Sequence, residues 1–106
     1  MTEEWTPITE TELLARVCEE EKQMSSDERA EFSACRVSVA RGTVAHFSTD
    51  GVEEVFIVAR RGTRVVFFDD VEDEFAAGTV DEHGAISEAG LYGELRWAVH
   101  SLLESD

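Results

Sequence analysis

Residues 54–74 read EVFIVARRGTRVVFFDDVEDE, and their pattern decides the fold class. Residues 54–60 are rich in Val, Ile and Phe, which suit a pleated and packed surface, and residues 63–69 repeat that composition. Only Arg61 and Gly62 separate the two runs, so the segment predicts two antiparallel strands joined by a tight hairpin. The acidic run Asp69, Asp70, Glu72, Asp73 and Glu74 then divides this hairpin from another strand through Phe75 and Ala77.

Upstream, Thr9 and Glu12 have the spacing of a capping box, in which hydroxyl and carboxylate each satisfy a free backbone donor of the first helical turn. Ile8 can meet Leu13 in a hydrophobic staple, and Leu13, Leu14, Val17, Cys18 and Met24 recur at helical spacing. Ser25 and Glu28 repeat the cap spacing before a short second helical turn over residues 27–32. From Cys35 the period changes to two, placing Cys35, Val37 and Val39 on one face of a first strand. Gly42 interrupts it, and Val44, Ala45 and Phe47 follow as a short strand or extended loop before the turn residues 48–51.

Downstream, residues 81–84 make a turn and Ile86 belongs to a final short strand. Gly90 then precedes a helix in which Leu91, Leu95, Ala98, Val99, Leu102 and Leu103 form an amphipathic stripe with Trp97 at its border. Helix, strands and helix in this order predict an α+β domain: an antiparallel sheet of four to five strands flanked by an N-terminal and a C-terminal helix. At 106 residues, with short connections throughout, the chain is expected to be a single domain.

Twenty-four acidic residues against nine basic ones leave a formal net charge of -15, while 42% of the residues are hydrophobic. That hydrophobic fraction supports a folded core rather than disorder. The negative charge disfavours nucleic acid and anionic lipid as partners and favours encounter with basic proteins or cations. The first seven residues are acidic, without the basic start of a secretory signal, and no apolar run approaches the roughly 20 residues that span a bilayer. A cytoplasmic location is therefore expected, with Cys18 and Cys35 as reduced, buried thiols.

The charges are unevenly placed. Residues 1–35 carry ten acids and three bases, and residues 65–106 carry eleven acids and one base. Residues 36–64 hold three acids and five bases, namely Arg36, Arg41, Arg60, Arg61 and Arg64. The hairpin arginines Arg60, Arg61 and Arg64 either pair across strands with Glu53 and Glu54 or offer a contact patch to an acidic surface, such as a second copy of the chain.

The carboxylates Asp69, Asp70, Glu72, Asp73 and Glu74 are the leading candidate for a partner site, because a rigid acidic loop can engage a basic protein surface by charge complementarity. A divalent cation on Asp69, Asp70 and Asp73, with His46 or His83 as a further ligand, is the alternative. It would make the chain a small metal-binding regulator or enzyme, although the loop lacks the ligand spacing and central glycine of an EF-hand. His46, His83 and His100 are far apart and show no zinc-type spacing. No catalytic or cofactor motif stands out, so no cofactor is expected and a non-catalytic binding role is favoured. Trp5, Tyr92 and Trp97 are the aromatic residues best able to anchor an interface, with Tyr92 and Trp97 expected to pack on the sheet.

The stretch VFIVARRGTRVVFFDDVEDE at residues 55–74, with Phe75, Gly78, Gly84, Ile86 and the apolar stripe of residues 95–103, resembles a broad group of small uncharacterised bacterial proteins, DDVEDEF being its recognisable phrase. Members of that group resemble immunity proteins, which neutralise toxins in the producing or neighbouring cell. The resemblance implies a non-catalytic inhibitor of a basic toxin or nuclease and assigns no individual residue a role.

Overall fold

A computed structural model describes residues 8–45, 52–69 and 73–104. The elements run α1 (Glu10–Lys22), α2 (Ser26–Cys35), β1 (Arg36–Ala45), β2 (Val52–Arg61), β3 (Arg64–Asp69), β4 (Glu74–Val80), β5 (Ala85–Gly93) and α3 (Leu95–Glu104). The α+β class, the five strands and the terminal placement of helices are as the sequence predicts.

Both capping boxes form. The Glu12 N–H donates to Thr9 Oγ1 at 3.1 Å and the Thr9 N–H to Glu12 Oε1 at 3.0 Å. Ser25 and Glu28 reciprocate in the same way at 3.1 and 2.8 Å. With that start satisfied, α2 runs further than the single turn expected, and Cys35 is its last residue rather than the first of a strand. Phe32 and Cys35 of α2 are buried beside Leu13 and Val17 of α1.

The strands close into a barrel in the order β1-β2-β3-β4-β5. Each consecutive pair is antiparallel, so the first and fifth strands point the same way and the closing contact must be parallel. That seam pairs Thr43 with Ala85 and Val44 with Ile86. β1 thus continues through Gly42 where a break was expected, because glycine is needed there for space. A Cβ on Gly42 would lie 2.9 Å from Ile57 Cδ1 and 3.1 Å from the Gly84 carbonyl. Gly78 fills the same need in β4, where a Cβ would meet Ile86 Cγ2 at 2.6 Å.

Closure gives the sheet two buried faces. Val65 and Phe67 of β3 point into the barrel with Val44, Val55, Ile57, Ala76, Val80 and Ile86. Val66 and Phe68 point outward into a second cluster, with Leu13, Val17, Phe32, Leu95, Ala98, Val99 and Leu102 of the helices. The uninterrupted apolar run VVFF therefore reflects a strand covered on both sides, by the barrel interior and by a helical layer.

Irregularities re-aim side chains. Ile57 pairs with Phe67 and Ala59 with Val66, so Val58 is an extra residue in β2, and Val58 and Ala59 both reach the helical cluster. Opposite it, the β1–β2 pairing skips from Arg36 to Ala40, and Val37 and Val39 join different clusters instead of the shared face expected. The β2–β3 turn is Gly62–Thr63, with Gly62 at φ 63, as a two-residue hairpin requires. Residues 90–93 extend β5, and α3 begins at Leu95, later than the sequence pattern implies.

Candidate functional site

The predicted acidic site is divided by the fold. Asp69 ends β3 with 0% of its surface exposed, so it belongs to the interior and offers no contact surface. Asp70 and Glu72 lie outside the described residues. Asp73 is the exposed corner of the β3–β4 loop, its side chain 77% accessible and its backbone at φ 57, a left-handed conformation that Asp tolerates better than most residues. Glu74 is half-buried at the start of β4.

What the sequence does not place is the surroundings of Asp73. Arg16 of α1 donates from Nη1 to Asp73 Oδ1 at 3.1 Å and from Nη2 to the Asp73 carbonyl at 3.2 Å. Its guanidinium also lies 5.4 Å from the centroid of the Phe68 ring. One helical turn on, Glu20 Oε1 accepts the Leu95 N–H at 2.8 Å. A carboxylate of α1 thereby caps the N-terminus of α3, where backbone donors are unsatisfied and the helix dipole favours negative charge.

Arg16, Glu20, Asp73, Glu74, Glu94 and Trp97 line an open groove of about 420 Å³ between α1, the start of β4 and the start of α3. Trp97 is 59% exposed, although its neighbours Ala98 and Val99 on α3 are buried. The expectation that it packs on the sheet is therefore incorrect: Leu95, Ala98, Val99 and Leu102 already fill the inward stripe. The Arg96 guanidinium stands 5.4 Å from the Trp97 ring while Arg96 Nε lies 3.0 Å from Glu94 Oε2. Tyr92 lies on β5, and its side chain is outside the described set.

The basic residues of the middle of the chain are spread over separate sites. Arg36 pairs with Glu21 at 3.2 Å and stacks on Phe32, and Arg41 pairs with Glu54 at 2.8 Å and stacks on Phe56. Both charges are thus matched locally. At the hairpin tip, Arg60 Nε donates to the Gly62 carbonyl at 2.7 Å and Arg64 Nη1 to Thr79 Oγ1 at 3.0 Å, while Arg61 is exposed. Arg60, Arg61 and Arg64 sit at the opposite end of β3 from Asp73, so the molecule has a basic tip and an acidic groove.

His83 lies in the β4–β5 turn, across the seven residues of β4 from Glu74, roughly 20 Å at the usual strand rise. That separation keeps it from Asp69, Asp73 and Glu74, and His46 is outside the described residues. Among the described residues, no group of three or more His, Cys, Asp or Glu is placed to hold a metal ion. Asp81 orders the His83 turn, accepting from the His83 N–H at 2.8 Å and the Ala85 N–H at 3.0 Å, and these bonds hold its carboxyl below the ordinary value.

A smaller cavity of about 250 Å³ opens where β1 parts from β2, against Leu14, Val17 and Phe32. Six of its nine lining residues are apolar, and its one guanidinium, Arg36, is engaged by Glu21. Cys18 is exposed on α1, contrary to expectation, because its helical position falls outside the buried pair Leu13 and Val17. Cys35 is buried, which pushes its thiol pKa up.

Among the described residues, no helix is long and apolar enough to cross a membrane. Comparison with protein-family models, with curated proteins and with solved structures returns no match to this chain.

Proposed function

We propose that this protein is a non-catalytic binding protein whose acidic groove, between α1, the start of β4 and α3, engages a basic protein surface. The observation that carries the reading is the 59% exposure of Trp97 in a groove bearing Glu20, Asp73, Glu74 and Glu94. An exposed aromatic ring supplies rigid contact area, and carboxylates around it select cationic side chains. The net charge of -15 adds long-range attraction for such a partner. Inhibition of a basic toxin or nuclease, as in immunity-type proteins, is the activity that fits this chemistry, since carboxylates can occupy a cleft built for phosphates.

Self-association is the second reading, favoured by the basic tip and the acidic groove at opposite ends of β3. A second copy brings the same charge of -15, so repulsion opposes it wherever salt does not screen the charge. A basic partner meets no such opposition.

The test is paired affinity capture from lysate at low salt, with the parent protein and a variant carrying Asp73→Asn, Glu74→Gln and Glu94→Gln. A basic protein retained by the parent, released by a salt step and lost by the variant is the expected result. Equal retention by both, or a partner insensitive to salt, would sink the proposal. Light scattering across salt concentrations checks self-association, which a monomer at every concentration removes.

A further inference from the structure

We infer that the groove reads the guanidinium of a partner's arginine in preference to a lysine ammonium, and that Arg16 is the chain's own occupant of that position, displaced when the partner binds. The inference rests on the basic-partner reading above and names the group recognised.

The groove already shows which cation it holds. Arg16 meets Asp73 through two nitrogens, one to the carboxylate at 3.1 Å and one to the main-chain carbonyl at 3.2 Å. This contact uses the planar fork of a guanidinium, which an ammonium group lacks. The Phe68 ring 5.4 Å away adds a flat surface, and guanidinium groups stack on aromatic faces more readily than ammonium groups do. A second unit of the same composition borders the groove, with the Arg96 guanidinium 5.4 Å from the Trp97 ring and its Nε 3.0 Å from Glu94 Oε2, a charge contact without hydrogen-bond geometry. Each unit combines an arginine, a ring and a carboxylate, so an arriving arginine finds surroundings the fold already uses twice.

Asp73 is open to water and so within a partner's reach. The side chains of Arg16 and Asp73 are 36% and 77% exposed, and exposed pairs of this kind are weak. Exchange of one guanidinium for another leaves the number of bonds to Asp73 unchanged, and the newcomer enters a groove that Trp97 and Glu74 also line.

Two peptides of equal length and charge, one with arginine and one with lysine alternating with glycine, are titrated at low salt into Trp5→Phe protein, with Trp97 emission as the readout. The arginine peptide should bind roughly fivefold tighter or more, because only it can form the fork. Arg16→Lys, which keeps the charge and loses the fork, should tighten arginine-peptide binding by up to about fivefold, the worth of an exposed pair. Arg16→Ala should act in the same direction, with circular dichroism confirming that both variants fold. Equal affinity for the two peptides overturns the inference while leaving the basic-partner reading in place. Weaker arginine binding by both Arg16 variants overturns the competitor role, and binding of neither peptide overturns inference and reading together.

Discussion

Replacing Gly78 with Ala tests whether the barrel interior is as tightly filled as its geometry implies. The added Cβ would lie 2.6 Å from Ile86 Cγ2 and 3.1 Å from the Ser87 carbonyl, against the ~3.5–4.0 Å of an ordinary carbon contact. Ile86 is β-branched and its Cγ2 is attached directly to the branch point, so it has little freedom to swing aside. Overpacking of this kind costs about 1–3 kcal/mol. The opposing gain, from stiffening the unfolded chain, is only about 0.4–1 kcal/mol, so destabilisation wins. At about 4–8 °C per kcal/mol for a domain near this size, the melting temperature should fall by several degrees or more. Urea unfolding gives the free energy directly, with a lowered midpoint and an unchanged slope. Ile86→Ala removes Cγ2, so in that background Gly78→Ala should lose at least about half its cost, a coupling readable from a double-mutant cycle. A Gly78→Ala protein as stable as the parent, or one with the same penalty in both backgrounds, would refute the packing account.

Other expectations follow from individual contacts. Glu20→Ala removes the acceptor of the Leu95 N–H and should cost about 0.5–2 kcal/mol by denaturant unfolding, whereas Glu20→Gln, which keeps an acceptor, should cost less. Asp81 is held below its ordinary value of 3.8 by the Ala85 and His83 N–H groups, so the stability it contributes is complete above that value and is lost as pH falls through its lower folded value. Melting curves from about pH 5 downward should accordingly be less steeply pH-dependent in Asp81→Asn than in the parent. Exposed Cys18 should react with a thiol-alkylating reagent well before buried Cys35, whose thiol pKa is raised; mass spectrometry of partly labelled protein distinguishes them.

Features written in neighbouring residues were the legible ones. Both capping boxes depend on residues three apart, and the hairpin depends on two apolar runs around Gly62, so no tertiary knowledge was required. The barrel was hidden because its seam joins Thr43 and Val44 to Ala85 and Ile86, residues remote in the chain with no shared motif. Residues 90–93 carry two glycines that obscured a strand, and the extra residue Val58 broke the alternation on which face assignment rests. At the candidate site, composition pointed to the acidic loop but could not divide it into the buried Asp69 and the exposed Asp73. No local motif singles out Arg16 or Glu20, and only packing of α1 beside Asp73 and α3 makes them part of a groove. A sequence signal for Trp97 did exist: it sits at the border of the apolar stripe, where a large ring can be left outside.

The seam also bears on the order in which the chain assembles. Four of the barrel's ladders join consecutive strands, whereas the β1–β5 contact must wait for distant parts of the chain to meet and lose their freedom together. Weakening it at Thr43 or Ala85 should therefore leave the refolding rate nearly unchanged and hasten unfolding, the kinetic mark of contacts made after the rate-limiting step. The last contact to form would then be the first to open, and the persistence of the folded state would depend disproportionately on two pairs of residues.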